Sequence, residues 1–133
     1  DQLEFRNRIE LSRYQKEEPL AESGYLIYHD VIYKPLSVPL SLAFRYAIFD
    51  TDTWNTRIYA YENDVLYAFS IPAYYSKGTR SYLTVKYSIT KQLDIWLRYA
   101  ITTYADKDVI GSGLTEINGN KKSEVKFQLR FKL

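Results

Sequence analysis

A chain of 133 residues holds one architectural unit, and with 26% charged residues and a mean hydropathy of −0.37 no stretch of it forms the roughly 18 to 20 uninterrupted apolar residues of a transmembrane helix. The 18 basic and 16 acidic residues are mixed along the chain and leave a net charge of +2, which excludes the gathered basic stripe of a nucleic-acid binder. With no cysteine there is no disulfide, no thiolate nucleophile and no Cys-based metal site.

From the start, Leu3, Phe5, Ile9 and Leu11 alternate with Gln2, Glu4, Arg6, Arg8 and Glu10. A period of two puts the two sets on opposite faces of a strand. The chain opens without a basic start or an apolar signal core, so an exported protein beginning here is expected to be already processed or a piece of a longer polypeptide. Gly24 to Lys34 is strand-like, with Tyr25, Ile27, Val31 and Tyr33 on one side, but Leu26, Tyr28 and Ile32 share the other side with Asp30 and leave its facing undecided. Next, Leu36, Val38, Leu40, Leu42, Phe44, Tyr46 and Ile48 oppose Ser37, Ser41, Ala43, Arg45 and Ala47 over more residues than an average globular strand of about five or six. Pro39 lacks a ladder donor and is expected near that strand's end or at a bulge.

Trp54 to Ser70 keeps one phase, with Tyr59, Tyr61, Val65, Tyr67 and Phe69 against Ala60, Glu62, Asp64, Ala68 and Ser70, and is read as one long strand. A turn at Glu62-Asn63-Asp64 is the alternative, because Asn and Asp tolerate turn backbone. Leu83, Val85, Tyr87 and Ile89 oppose Arg80, Tyr82, Thr84 and Lys86, and Leu93, Ile95, Leu97, Tyr99 and Ile101 oppose Asp94, Trp96, Arg98, Ala100 and Thr102. Little more than Thr90-Lys91-Gln92 joins these two strands. The last strand alternates strictly: Val125, Phe127, Leu129, Phe131 and Leu133 against Lys126, Gln128, Arg130 and Lys132.

These strands separate an apolar medium from a wet one, and 14 tyrosines, each an apolar ring with a polar tip, suit the boundary between lipid and water. The expected fold is all-β: an antiparallel up-and-down transmembrane β-barrel, of which residues 1–133 supply the C-terminal seven strands, with the N-terminal part of the barrel absent because single-chain bacterial barrels have even strand numbers. The split at Asn63 gives eight strands and a minimal closed barrel instead. With the C-terminus on the periplasmic side, Asp106 to Lys122 and Ile71 to Thr79 are expected outside the cell with Lys34 to Ser37, and Thr90 to Gln92, Asp50 to Thr53 and Gln15 to Ser23 inside.

Four stretches carry a family resemblance: Tyr33-Lys34-Pro35-Leu36-Ser37, Phe44 through Asp52 (FRYAIFDTD), Arg57 through Tyr75 (RIYAYENDVLYAFSIPAYY) and Ile110-Gly111-Ser112-Gly113-Leu114. They run in the same order as in the C-terminal barrel region of outer-membrane helix-hairpin-helix domain-containing proteins of Bacteroidota, which this chain resembles. The resemblance implies a barrel built from a longer polypeptide, with the eponymous segment nearer the N-terminus. That segment has no counterpart here, so no DNA-binding role carries over.

Candidate chemistry is sparse. His29, the single histidine, sits beside Asp30, but neighbours on a strand point to opposite faces, so a Ser-His-acid hydrolase is disfavoured. No catalytic, cofactor or metal residues are expected. On the polar parity, Arg45, Glu62, Asp64, Arg80, Lys86, Arg98, Lys126 and Arg130 are candidates to line a lumen, as a selectivity ring or as a mixed-sign network that fills it. Tyr74 and Tyr75 are candidates for external loop contacts, and the chain end at Phe127, Leu129, Phe131 and Leu133 is a candidate insertion signal for the barrel-assembly machinery. The sequence thus points to a non-enzymatic barrel segment of the bacterial outer membrane, acting as scaffold, pore or component of an envelope complex. Its expected partners are outer-membrane lipid, the assembly machinery, other envelope proteins and the rest of the barrel. A soluble lipocalin-like barrel holding an apolar ligand and an outer-membrane hydrolase are the alternatives.

Overall fold

The structure is a computed structural model describing residues 2–17 and 20–133. Strand accounts for 66% of it, and there is no α-helix among the described residues. Ten strands follow in chain order: β1 (Leu3–Glu17), β2 (Leu20–Tyr33), β3 (Leu40–Thr51), β4 (Ile58–Tyr59), β5 (Ala73–Tyr74), β6 (Lys77–Ser88), β7 (Leu93–Tyr104), β8 (Val109–Ile110), β9 (Ile117–Asn118) and β10 (Lys121–Phe131). The six long ones form one antiparallel sheet in the order β1-β2-β3-β6-β7-β10, and β4-β5 and β8-β9 are two small hairpins beside it. Among the described residues the sheet is open, with β1 and β10 at its edges. Pro39 lies immediately before β3, as its missing donor requires.

The sheet has six long strands where the alternation predicts seven. Trp54 to Ser70 does not enter it, because β3 pairs directly with β6 through eleven consecutive partners from Leu40↔Tyr87 to Asp50↔Lys77. The segment instead doubles back on itself: Ile58↔Tyr74 and Tyr59↔Ala73 pair, Glu62 bridges Ser70, and the Ala68 amide donates to the Val65 carbonyl at the tip. Its period of two is genuine, but it reports an extended backbone with one face down on the sheet. It does not report a place in the ladder.

Removing one strand reverses the direction of every element before it. Asp52 to Ser76, expected as an internal turn up to Thr53, a strand from Trp54 to Ser70 and an external loop from Ile71, is one connection at the same end of the sheet as the β7–β10 connection. Lys34 to Ser37 moves to the opposite end, alongside Thr90 to Gln92. Of the connection expected at Gln15 to Ser23, Gln15 to Glu17 belong to β1 and Leu20 to Ser23 to β2, and residues 18 and 19 lie outside the described residues. The corrected order puts the two longest connections at one end and those from Lys34 to Pro39 and from Ile89 to Gln92 at the other.

The two faces of the sheet are chemically opposite. One is bare, and on it Ile9 (72% exposed), Leu11 (79%), Phe127 (67%) and many other large apolar side chains stand in the open. The other is covered by the Asp52 to Ser76 insert, and there Asp30, Arg45, Asp94, Arg98 and Thr102 are buried. The undecided facing of β2 resolves with Tyr25, Ile27 and Tyr33 on the bare face and Leu26, Asp30 and Ile32 on the covered one. Near the long connections the covered face also holds the one apolar cluster of the described residues, with Leu26, Phe49, Ile58, Tyr74, Tyr104 and Ile110 among its members. Gly24 is needed where the insert enters: a Cβ there would lie 2.8 Å from Ser12 Oγ and 2.9 Å from the Thr56 carbonyl oxygen.

The apolar band of the bare face does not run along the hydrogen-bond ladder. A ladder row from Asn7 passes through His29, Tyr46, Ser81, Ile101 and Ser123. On β1 the apolar run Leu3 to Leu11 is centred on Asn7, but on β10 the run Val125 to Phe131 is centred on Gln128, five residues from Ser123. The band therefore drifts by five residues over five strand-to-strand steps. With a rise of about 3.3 Å per residue and a strand spacing of about 4.8 Å, a level band requires strands tilted by about 35°.

Candidate functional site

The insert leaves β3 through a single 3₁₀ turn, Trp54–Thr56, capped reciprocally by Thr53 and Thr56. Successive residues alternate up and down: Ile58, Ala60 and Glu62 face the sheet and are buried, and Tyr59 and Tyr61 between them are exposed. The first half of this descent packs on the apolar cluster. The second half meets charge, because the sheet below it presents the ladder rows Arg80–Thr102–Lys122 and Thr84–Arg98–Lys126.

Glu62 is the centre of that contact and is 0% exposed. Its Oε1 accepts from Arg80 Nε and from the Tyr74 hydroxyl, both at 2.7 Å, and its Oε2 accepts from Arg80 Nη2 at 2.8 Å and from Arg98 Nη2. Burial alone would push this carboxyl up, but the hydrogen bonds and charge of Arg80, the Tyr74 hydroxyl and the charge of Arg98 outweigh it and hold Glu62 below the usual carboxylate range. The Tyr74 phenol moves the other way. Burial first, then the adjacent Glu62 carboxylate, push it well above its ordinary value and keep it a donor.

Asn63 and Asp64 extend the attachment. The Asn63 carbonyl accepts from Thr84 Oγ1 at 3.0 Å and from Arg98 Nε at 3.2 Å, and its backbone amide donates to the Tyr82 hydroxyl at 3.1 Å. Asp64 takes Lys126 Nζ at 2.6 Å. Arg98, itself fully buried, also donates through Nη1 to Glu124 at 2.5 Å and lies 5.0 Å over the Tyr82 ring. Beside this network, Arg45 grips Asp30 with two parallel bonds of 2.6 and 2.7 Å, reaches the Tyr61 carbonyl at 2.8 Å, and stacks 3.6 Å from the centroid of Tyr28. The guanidinium fork suits such planar, bidentate contacts. At the far end Asp94 accepts from Ser88, Arg130 and Lys132.

All eight residues predicted for a lumen lie between the covered face and the insert, and six of them, Arg45, Arg80, Lys86, Arg98, Lys126 and Arg130, project from strands of the sheet. Glu62 and Asp64 come from the insert and pair with Arg80, Arg98 and Lys126. Lys86 and Arg130 lie on either side of Trp96, each 5.3 Å from its ring. Tyr74 is not available for external contact, because it is 1% exposed and committed to Glu62. Tyr75 is half-buried, edge-on to Trp54 at 4.8 Å and tilted against Tyr104 at 5.6 Å. Phe127, Leu129 and Phe131 stand exposed on the bare face of β10, followed by Leu133 at the chain end.

His29 is on the bare face, paired with Asn7 Oδ1 at 2.6 Å and stacked on Phe5, while Asp30 is buried on the covered face. A hydrolytic pair is geometrically excluded between those two. Sequence reasoning passed over Asp30, Asn63 and Tyr82. The first was hidden by the ambiguous facing of β2; its signal is the cross-strand partner Arg45. Among the described residues no group of three or more His, Asp or Glu side chains is placed to hold a metal ion. Comparison with known protein families, characterised proteins and solved structures gave no match to this chain.

Proposed function

We propose that this chain is a wall segment of an outer-membrane β-barrel, of the helix-hairpin-helix group it resembles, and that the Asp52 to Ser76 insert occludes the lumen of that barrel. The observation that carries the reading is the inverted polarity of the sheet combined with the drift of its apolar band. Strands of 11 to 15 residues are long enough to cross about 30 Å of hydrocarbon when tilted, and the tilt of about 35° is that of transmembrane barrels. A carrier of apolar ligands needs apolar residues on its covered face, where this sheet buries Asp30, Arg45, Asp94 and Arg98.

The insert also sets a lower limit on barrel size. Eight strands enclose a space just wide enough for side chains, whereas this interior holds two limbs of backbone. The barrel then has more than eight strands, at least ten by the even-number rule, so β1 and β10 pair with further strands of the same alternation. Unpaired edges in lipid would each strand a row of backbone donors and acceptors. The role is structural and non-enzymatic: a plugged scaffold within the envelope.

The test is photolabelling with a lipid-restricted probe after reconstitution into vesicles. Label on Leu97, Phe127 and Leu129 and none on Lys126 or Arg130 is the expected pattern. A chain that stays dispersed without detergent, or label on the lysines and arginines, refutes the proposal.

A further inference from the structure

Beside the pinned insert, near the long connections, lies a cavity of about 280 Å³ that the ion-pair network does not fill. The rings of Tyr74, Tyr75 and Tyr104 wall it, and the ladder row Arg80–Thr102–Lys122 runs across it. Neighbouring strands are about 4.8 Å apart, so the two cations of that row stand on backbone positions about 10 Å apart with a hydroxyl between them. Their charges are not equivalent. Arg80 is neutralised by Glu62 at 2.7 Å. Lys122 takes part in none of the ion pairs among the described residues, because Glu124, the nearest acid along its strand on the same face, is committed to Arg98 at 2.5 Å and to Lys126 at 3.5 Å. A second cation adds to the excess: Lys107 Nζ lies 4.2 Å from the centroid of Tyr75 and 4.9 Å from that of Tyr104.

We infer that this cavity is a binding site for a single six-membered sugar ring bearing a carboxylate, a uronic acid unit. The volume is close to the lower end for small-molecule sites, about 300 Å³, and matches one ring better than a chain. Tyrosine faces pack on the C–H face of a sugar; the Tyr74 hydroxyl donates to Glu62 and Thr102 Oγ1 accepts from Arg80 Nη1 at 2.8 Å, which leaves the Tyr74 oxygen as an acceptor and the Thr102 hydroxyl as a donor for a polyhydroxylated ring. The carboxylate answers the uncompensated charge of Lys122. The site stands on this chain's own residues, whichever medium wets the bare face.

Isothermal titration of the full chain in detergent with D-glucuronate and with D-glucose tests it. Glucuronate is expected to bind at least ~10-fold more tightly than glucose, the equivalent of one charge-assisted hydrogen bond. Lys122→Met, at an exposed position, should bring glucuronate down to the level of glucose, and Tyr75→Leu should weaken both, with far-UV circular dichroism unchanged in either variant. A wild-type chain that gives no heat with glucuronate, or a Lys122→Met chain that binds it as tightly as wild type, overturns the assignment. Failure of the lipid-labelling test leaves these titrations unaffected, so the two readings fall separately.

Discussion

Arginine placed along β10 measures the tilt on which the membrane reading depends. Ser123 and Phe127 are both on the bare face of that strand. With the band centred at Gln128, Phe127 is one residue from the midplane, about 3 Å in depth, whereas Ser123 is five residues away, about 13 Å after projection through a 35° tilt. The apolar band of such barrels is about 25 Å tall, so Ser123 falls at its margin and Phe127 near its centre. Arginine costs about 2–4 kcal/mol at the centre and about 0–1 kcal/mol at the margin. Each cost is taken against alanine at the same site, Phe127→Arg against Phe127→Ala and Ser123→Arg against Ser123→Ala, which removes the loss of the native side chain. Equilibrium unfolding in lipid vesicles, read by the heat-modifiable band on gels, should then show about 30-fold to 700-fold loss of folded population for Arg at 127 and less than about 10-fold at 123. Upright strands give a different answer, because Ser123 shares a ladder row with Asn7, the centre of the band on β1. Equal cost at both positions rules out the tilted sheet, and negligible cost at both rules out the membrane.

The insert supplies the other predictions. Glu62→Gln leaves the largely buried Arg80 without its counter-charge and takes one carboxylate from the buried Arg98, which keeps Glu124, a loss of about 3 kcal/mol, and hydrogen exchange of residues 58–74 should speed by about 100-fold while the six long strands stay protected. The same carboxyl makes the attachment pH-dependent. Its folded value lies below the ordinary 4.5, so its contribution is complete above about pH 4.5 and is lost as the pH falls through the depressed value. The protection factor of the insert, which is its exchange corrected for the intrinsic pH dependence of amide exchange, should fall on acidification in wild type and stay flat over that window in Glu62→Gln. Finally, Phe131→Asp puts a charge on the bare face of the last strand and should block membrane assembly; a normal heat-modifiable band from extracted membranes in that variant dismisses Phe131 as part of an insertion signal.

The all-β antiparallel class was legible because period two survives in every long strand, from Leu3–Leu11 in β1 to Val125–Phe131 in β10. The polar parity was legible for the same reason, which is how Arg45, Arg80, Arg98 and Lys126 came to be grouped before their contacts were known. Alternation alone does not say which extended segments pair. Tyr59, Tyr61 and Phe69 look like the apolar face of a sheet strand, yet they form the exposed side of a segment lying across one. The deciding information is non-local: Phe44 and Leu83 occupy opposed ladder positions, and nothing within the insert records that. Residues with αL backbone were equally invisible, since Tyr67 (φ 64°) and Ser76 (φ 66°) carry none of the Gly or Asn signals that mark such turns.

The opposition of charges explains why the misread segment and the network belong together. A sheet that presents Arg45, Arg80, Arg98 and Lys126 on one face cannot have that face covered by an apolar segment without stranding cations, and it cannot turn that face to lipid. Asp30 answers one of these from within the sheet. The other three are met by Glu62 and Asp64 of the insert together with Glu124 of β10. A ring that selects ions needs unneutralised charge facing water; here the acids are seated directly on the bases, and Glu62, Asp64 and Arg98 at the centre are fully buried. The same pairing that removes selectivity from this face anchors the insert to three strands at once, and on that ground the proposed role is occlusion and not conduction.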